Sequence, residues 1–175
     1  MANVDEKDLI ERVGRILRRS RSGGRLRADD RHKVKDRIAS RAADAANAAD
    51  SAGALYAPEA LHEVRISAKK LRYALEVGRA AKLPGAGPAA TRLKRYQDLL
   101  GELHDYQVLS AEVARLQSRL PLDDDDIGPL SDLLATVETR CRALHANFVS
   151  RRSALVRMAQ QLEKTFAARS QSTKA

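Results

Sequence analysis

The apolar positions of this 175-residue chain recur at three- and four-residue intervals almost from end to end. That is the repeat of α-helices with one buried face, because residues three and four apart share a side of the helix. Leu9, Val13, Ile16 and Leu17 mark an amphipathic helix over about 4–20, and Ser22-Gly23-Gly24 breaks it. Val34, Ile38, Ala42, Ala45 and Ala49 form a thinner stripe, which predicts a second helix from about Asp29 to Ala49, closed by Ser51-Ala52-Gly53. Pro58 suits a first helical turn, where its missing N–H would have had no partner, so a third helix is expected over about 58–81. Pro84, Gly85, Gly87 and Pro88 predict a loop, and a fourth helix follows over about 89–119. Pro121 and the run Asp123–Asp126 predict another loop. From Ser131 onward there is neither Gly nor Pro. Leu134, Val137, Cys141, Leu144, Phe148, Leu155, Met158, Leu162 and Phe166 keep helical spacing with one wider step. This fits one long helix, or two that meet near Ser150–Ser153, with about 169–175 frayed.

No stretch reads as a strand. Long antiparallel helices joined by short loops predict an all-α bundle of four-helix type with an N-terminal basic helical arm. A single domain over 1–175 is expected: basic helices in 1–50, a helix pair in 58–119, and a long C-terminal helix or helix pair in 129–168. Hydrophobic residues make up 43% of the chain but aromatics only 3%, with no Trp, so the core must be aliphatic and rich in Ala. That composition favours closely packed helices over a sheet. No apolar run approaches the roughly 18 residues a membrane helix needs. The N-terminus, MANVDEKDLIERV, is acidic and amphipathic, unlike a signal peptide. A single cysteine, Cys141, rules out an internal disulfide and fits a reducing, cytoplasmic setting.

Charge sharpens this picture. The net charge is +9, and it is segregated. Residues 12–41 carry twelve Lys/Arg against three Asp/Glu, residues 62–97 nine against two, and residues 139–175 eight against one. Residues 98–138 reverse the balance, with ten acids and two bases. Basic blocks of this kind point to a polyanionic partner.

The third helix shows where such a partner would sit. At about 100° per residue, Leu61, Val64, Ala68, Leu71 and Leu75 fall within a sector of about 80°, while His62, Arg65, Lys69, Arg72, Tyr73 and Glu76 fall in a neighbouring sector of about 100°. Lys70 points elsewhere. A row that only solvates the helix would lie opposite the apolar stripe, whereas this one borders it. On the fourth helix Lys94, Gln97, Gly101, Asp105 and Val108 likewise share the side next to Leu93, Tyr96, Leu100, Leu103 and Gln107. Gly101 costs on the order of 1 kcal/mol relative to Ala in a helix interior. It suggests close approach by another helix or a ligand, or a simple packing notch. Asp105 is placed to accept hydrogen bonds from Arg65 or Arg72.

His62-x-x-Arg65-x-x-x-Lys69-Lys70-Leu71-Arg72-Tyr73-Ala74-Leu75-Glu76, followed by Leu93-Lys94-x-x-Gln97-x-x-Leu100-Gly101-x-x-x-Asp105, resembles the CHAD family, the conserved histidine α-helical domain. The resemblance implies an all-α fold that binds inorganic polyphosphate in a basic cavity or pore, without catalysis, cofactor or metal. It implies His62, Arg65, Lys69, Arg72 and Lys94 as the ligand-facing residues, with Lys70, Tyr73, Gln97, Gly101 and Asp105 in support. Arg12, Arg15, Arg18, Arg19, Arg37 and Arg41 lie outside the motif and could extend the basic track. Family members commonly have two such halves, and this chain has one copy of the motif, similar to the second half. Either one bundle suffices, or two chains pair as a homodimer to replace the missing half. Association with polyphosphate granules is a further expectation of the resemblance. Arg65 and Arg72 can give bidentate forks to phosphate oxygens, while Lys69 and Lys94 act as mobile point charges. His62 donates better when protonated, so binding is expected to be tighter at pH 6 than at pH 8.

Rival readings are weaker. Nucleic-acid binding fits the charge, but two Phe and four Tyr make no stacking platform, leaving room only for weak RNA or DNA binding. His104-Asp105 resembles half of a metal-dependent phosphohydrolase pair, without a second set. His62-Glu63 lacks the second His of a zinc-protease motif, since Ile66 stands there. Cys141 and His145 are four apart, too few for a structural zinc site, and Cys141 fits the apolar stripe. Asp123–Asp126 reads as a solvated loop, although it could take a cation or bridge to a basic block of another subunit. His32 reads as a surface residue.

Overall fold

The computed structural model of the chain describes residues 28–119 and 124–167, with the backbone alone for 124–127. Four α-helices account for nearly all of them: α1 Ala28–Ser51, α2 Pro58–Ala80, α3 Ala86–Gln117 and α4 Asp124–Ala167. The helix expected over 4–20 lies outside the described residues, as do Arg12, Arg15, Arg18 and Arg19.

Two boundaries differ from the sequence reading, and one alternative it left open is decided. Gly87 and Pro88 belong to the first turn of α3, not to the loop before it. A proline there gives up an N–H that the helix does not use. Asp124–Asp126 open α4 instead of closing a loop, and carboxylates are favourable at a helix N-terminus. The C-terminal stretch is one continuous 44-residue helix, without a break at Ser150–Ser153.

Neighbouring helices pair around a square: α1 with α2, α2 with α3, α3 with α4, and α4 back to α1, while the diagonal pairs stay apart. The interior is apolar throughout, with no polar or charged residue buried in it among the described residues. Alanines at 39, 42, 45, 46 and 49 line the buried side of α1, so the small stripe packs closely against its neighbours. Leu61, Val64, Ala68, Leu71 and Leu75 fill the buried side of α2 as their spacing predicts. Leu93, Leu100 and Leu103 on α3 and Phe148 and Leu155 on α4 complete the centre.

Two arginines tie the helix ends. Arg31 donates to the carbonyl of Ala81 at 3.0 Å, and Arg152 donates to the carbonyl of Asp50 at 2.7 Å, so each satisfies a chain-end acceptor that a helix leaves open. The α2–α3 turn is fixed by its own backbone. Lys82 adopts a left-handed φ of 53°, which lets the Leu83 N–H reach the Gly78 carbonyl at 2.9 Å and the Lys82 N–H reach Arg79 at 3.0 Å. This double bond is the Schellman arrangement that closes α-helices. Gly78 itself sits where a Cβ would come within 2.8 Å of Ile38 Cδ1 and 3.1 Å of Ala86 Cβ, so its lack of a side chain lets α1 and α3 close on the end of α2.

Candidate functional site

The basic row emerges on α2 at the edge of the core, as the helix arithmetic requires. His62, Arg65, Lys69 and Arg72 are all half-buried, while Lys70 is exposed and off the row. Their aliphatic stems cover apolar surface while the charged heads reach its margin. Tyr73 supports the row from within: the Arg72 guanidinium lies 4.9 Å from its ring centre and the Lys69 ammonium 5.7 Å. Cations over an aromatic face are held in place by the ring quadrupole.

The wall opposite is α3. The rings of His62 and His104 meet with centroids 5.3 Å apart. At the other end of the pair, a Cβ on Gly87 would lie 3.3 Å from Arg79 Cδ. Antiparallel helices that meet at 62/104 and at 79/87 set Gly101 opposite Arg65, Gln97 opposite Lys69, and Lys94 opposite Arg72. A Cβ on Gly101 would meet nothing within 4 Å. The glycine is therefore no packing notch, and no helix approaches it closely. It leaves open space facing Arg65.

The same register corrects one expectation. Asp105 stands opposite residue 61, about one turn past Arg65 and more than two past Arg72, at 1.5 Å of rise per residue. It is exposed and holds neither arginine. Arg72 pairs instead with Glu76, one turn along its own helix. The Arg72 side chain retains only 24% of its exposure, whereas that of Lys94 retains 63% and donates to Asp98 at 2.7 Å. Arg37 and Arg41 are on α1, which meets α2 on its Gly78 side, well around the helix from the row. The structure does not bring them to it, and Arg41 pairs locally with Asp44 at 3.2 Å.

Two features stand out energetically. The Nε atoms of Arg65 and Arg72 are buried with no hydrogen-bond partner. A desolvated guanidinium nitrogen without an acceptor costs on the order of 1–3 kcal/mol or more. His104 is the second. Burial, followed by the charges of Arg65 and His62, holds it below the usual histidine range, against a smaller opposite pull from Asp105. The sequence offered His104 only as a partner of Asp105. Its place beside His62 depends on the register between two helices, which spacing within one helix does not reveal.

His145 lies on α4, against the loop that precedes α2. Its ring meets Tyr56 edge-on at 5.1 Å, and burial pushes its pKa down, partly offset by a hydrogen bond with the Leu55 backbone. Cys141 is buried in the core cluster beside it. Among the described residues, no group of three or more His, Cys, Asp and Glu side chains gathers as a metal ion would require, and no helix is long and apolar enough to cross a membrane.

No curated protein and no solved structure matches the chain. The profile of the CHAD domain does match, over residues 2–114, which include α1, α2 and the whole motif-bearing part of α3. With well over half of its length matched, and with both motifs on the adjacent helices α2 and α3, the chain belongs to the CHAD domain family.

Proposed function

We propose that this chain binds inorganic polyphosphate, without catalysis, between α2 and α3. His62, Arg65, Lys69 and Arg72 form one wall, with Lys94 across from them. CHAD domains are associated with polyphosphate binding in general. The observation that carries the reading is the pair of buried, unpartnered Nε atoms on Arg65 and Arg72. Both belong to always-charged groups with forked donors, and both lie on one face two turns apart. Phosphate oxygens along an extended anion supply acceptors at repeated intervals on such a face. Lys69 adds a charge between them. His104 joins the wall at the His62 end, and Gln97 is the neutral donor facing Lys69. Association with polyphosphate granules follows from the same chemistry, as does a homodimer in which two single-motif chains face one ligand.

Titration of the full chain with polyphosphate, with orthophosphate and RNA at equal phosphate concentration as comparisons, tests this. Affinity for polyphosphate should exceed that for RNA, because no aromatic platform accepts bases. It should fall as salt rises, since neutralising phosphates releases counterions. It should also rise as pH falls. His104 is held below its usual range in the free protein, so it is neutral at pH 7, and an adjacent polyanion favours its protonated form. Binding then takes up a proton, and affinity must be greater at pH 6 than at pH 8. Equal binding of RNA, or no binding of polyphosphate at low salt, would sink the proposal.

Gly101→Ala separates fold from ligand. A Cβ there touches nothing, and alanine favours a helix interior over glycine by about 0.5–1 kcal/mol, so the variant should unfold at a higher temperature. The same methyl intrudes on the space facing Arg65, so polyphosphate affinity should fall. A variant more stable and equally tight in binding would place the ligand away from Gly101.

A further inference from the structure

The cations that line the α2–α3 groove are not alike. Arg72 Nη1 donates to the Glu76 carboxylate one turn along α2, and Lys94 donates to Asp98 one turn along α3, at 2.7 Å. Arg65 and Lys69 have no such neighbour. The positions one turn from Arg65 are Leu61, His62, Ala68 and Lys69, and those one turn from Lys69 are Arg65, Ile66, Arg72 and Tyr73, so no carboxylate is in reach on α2. Among the described residues neither cation enters an ion pair, and the Arg65 Nε is buried without an acceptor. The space left open at Gly101 faces this same half. The groove therefore has an open end, from His62 to Lys69, and a self-neutralised end, at Arg72 and Lys94.

Glu76 makes the more sheltered of the two pairs. The Arg72 side chain is only 24% exposed, whereas Lys94 and Asp98 are 63% and 61% exposed and their attraction is weakened by water. Glu76 also falls in the same angular sector of α2 as His62, Arg65, Lys69 and Arg72, so its carboxylate shares the face that an anion would occupy. A carboxylate and a phosphate oxygen ask the same of a guanidinium, a charge-assisted N–H donor.

We propose that Glu76 is a built-in counter-anion that determines specificity: it occupies the ligand position on Arg72 until a polyanion long enough to be anchored at Arg65 and Lys69 displaces it. This rests on the polyphosphate reading of the groove. A short anion that meets Arg72 only replaces a carboxylate already tethered beside it, and gains little. Arg65 and Arg72 are seven residues apart, about 10.5 Å along the helix. An anion that spans this distance reaches Arg72 already held at its other end, so its effective concentration there is high enough to compete with the carboxylate. The polyanion is thus anchored at the His62 end, and Glu76 sets a minimum length without closing the site. The displaced carboxylate turns to solvent, to which the Glu76 side chain is already 44% exposed, and takes up a cation there.

Calorimetric titration of the full chain with long-chain polyphosphate across a salt series, and with pyrophosphate, reads the outcome. Glu76→Gln should bind long-chain polyphosphate about threefold to fivefold more tightly, the size of a partly exposed ion pair. Its plot of log affinity against log salt should steepen by about one unit, because no carboxylate is freed to take up a cation. Pyrophosphate, too short to bridge Arg65 and Arg72, should gain a second binding position in Glu76→Gln. Glu63→Gln makes the same charge change at an exposed position on the Lys70 side of α2, and should stay close to wild type. In Arg72→Ala, checked for its fold by helical circular dichroism, Glu76→Gln should add nothing, because Glu76 acts through Arg72. A wild type that binds no polyphosphate at low salt overturns the polyphosphate reading and this proposal with it. Long-chain affinity and pyrophosphate stoichiometry that are the same in wild type and Glu76→Gln overturn this proposal alone. So does a gain that persists in the Arg72→Ala background, which marks a general effect of net charge.

Discussion

Replacing Arg65 and Lys69 together by alanine is expected to weaken polyphosphate binding by about 100-fold, with the helical content unchanged. The size follows from two charge-assisted contacts of about 1.5–3 kcal/mol each, discounted for screening at the half-exposed lysine, against about 1.4 kcal/mol per factor of ten. The fold should survive because neither side chain anchors it. Among the described residues Arg65 enters no hydrogen bond or ion pair, its Nε being buried without a partner, and Lys69 lies over the Tyr73 ring. Removing Arg65 even relieves a buried donor that nothing satisfies. Arg72 is a less informative target, because it pairs with Glu76 and stacks on Tyr73, so its loss disturbs the helix surface as well as the ligand face. Lys94 should matter least of the set, being exposed and engaged by Asp98. Calorimetric titration measures the double variant. Wild-type affinity in a folded Arg65→Ala, Lys69→Ala protein would remove α2 from the binding site.

How far the sequence led depended on whether one helix or two were needed. The apolar stripe of α2, the separate basic sector beside it and the outward turn of Lys70 are properties of a single helix, and 3.6-residue periodicity gives them directly. Helix ends were less legible. Gly87, Pro88 and the aspartates from 124 carry loop propensity, yet each sits in a first turn, where proline and carboxylates are favourable. Whether the C-terminal stretch was one helix or two also turned on packing, since Ser150–Ser153 is neutral by composition. The site was legible on α2 and obscure across the gap. Asp105 looked like a natural partner for the arginines because it shares a face with Lys94 and Gly101. The interhelical register, set by the short α2–α3 turn, places it a turn too far along. The same register brought His104 to His62 and showed Gly101 to be open, neither of which can be read from spacing within α3.

Phe148→Ala is the counterpart experiment, expected to cost stability and spare the site. Phe148 is fully buried on α4, in the shared core. Truncating a buried phenylalanine removes its transfer energy and leaves a cavity, together about 3–5 kcal/mol. For a chain of this size, roughly 2–4 °C of melting temperature goes with each kcal/mol, so the midpoint should drop by about 10 °C. α4 packs on α1 and α3 but not on α2, so the basic row keeps its helix and its neighbours. Bound polyphosphate stabilises only the folded state, by about 2.7 kcal/mol at a hundredfold excess over its dissociation constant. Saturating polyphosphate should therefore raise the melting temperature of Phe148→Ala by about as much as it raises that of the wild type. It should barely move Arg65→Ala, Lys69→Ala, which starts near wild-type stability. One variant is unstable and responsive, the other stable and unresponsive. That crossed pattern is what an aliphatic core carrying an unneutralised basic edge must give. A Phe148→Ala protein that stays folded but gains nothing from polyphosphate would mean that the row depends on the α3–α4 packing beneath it.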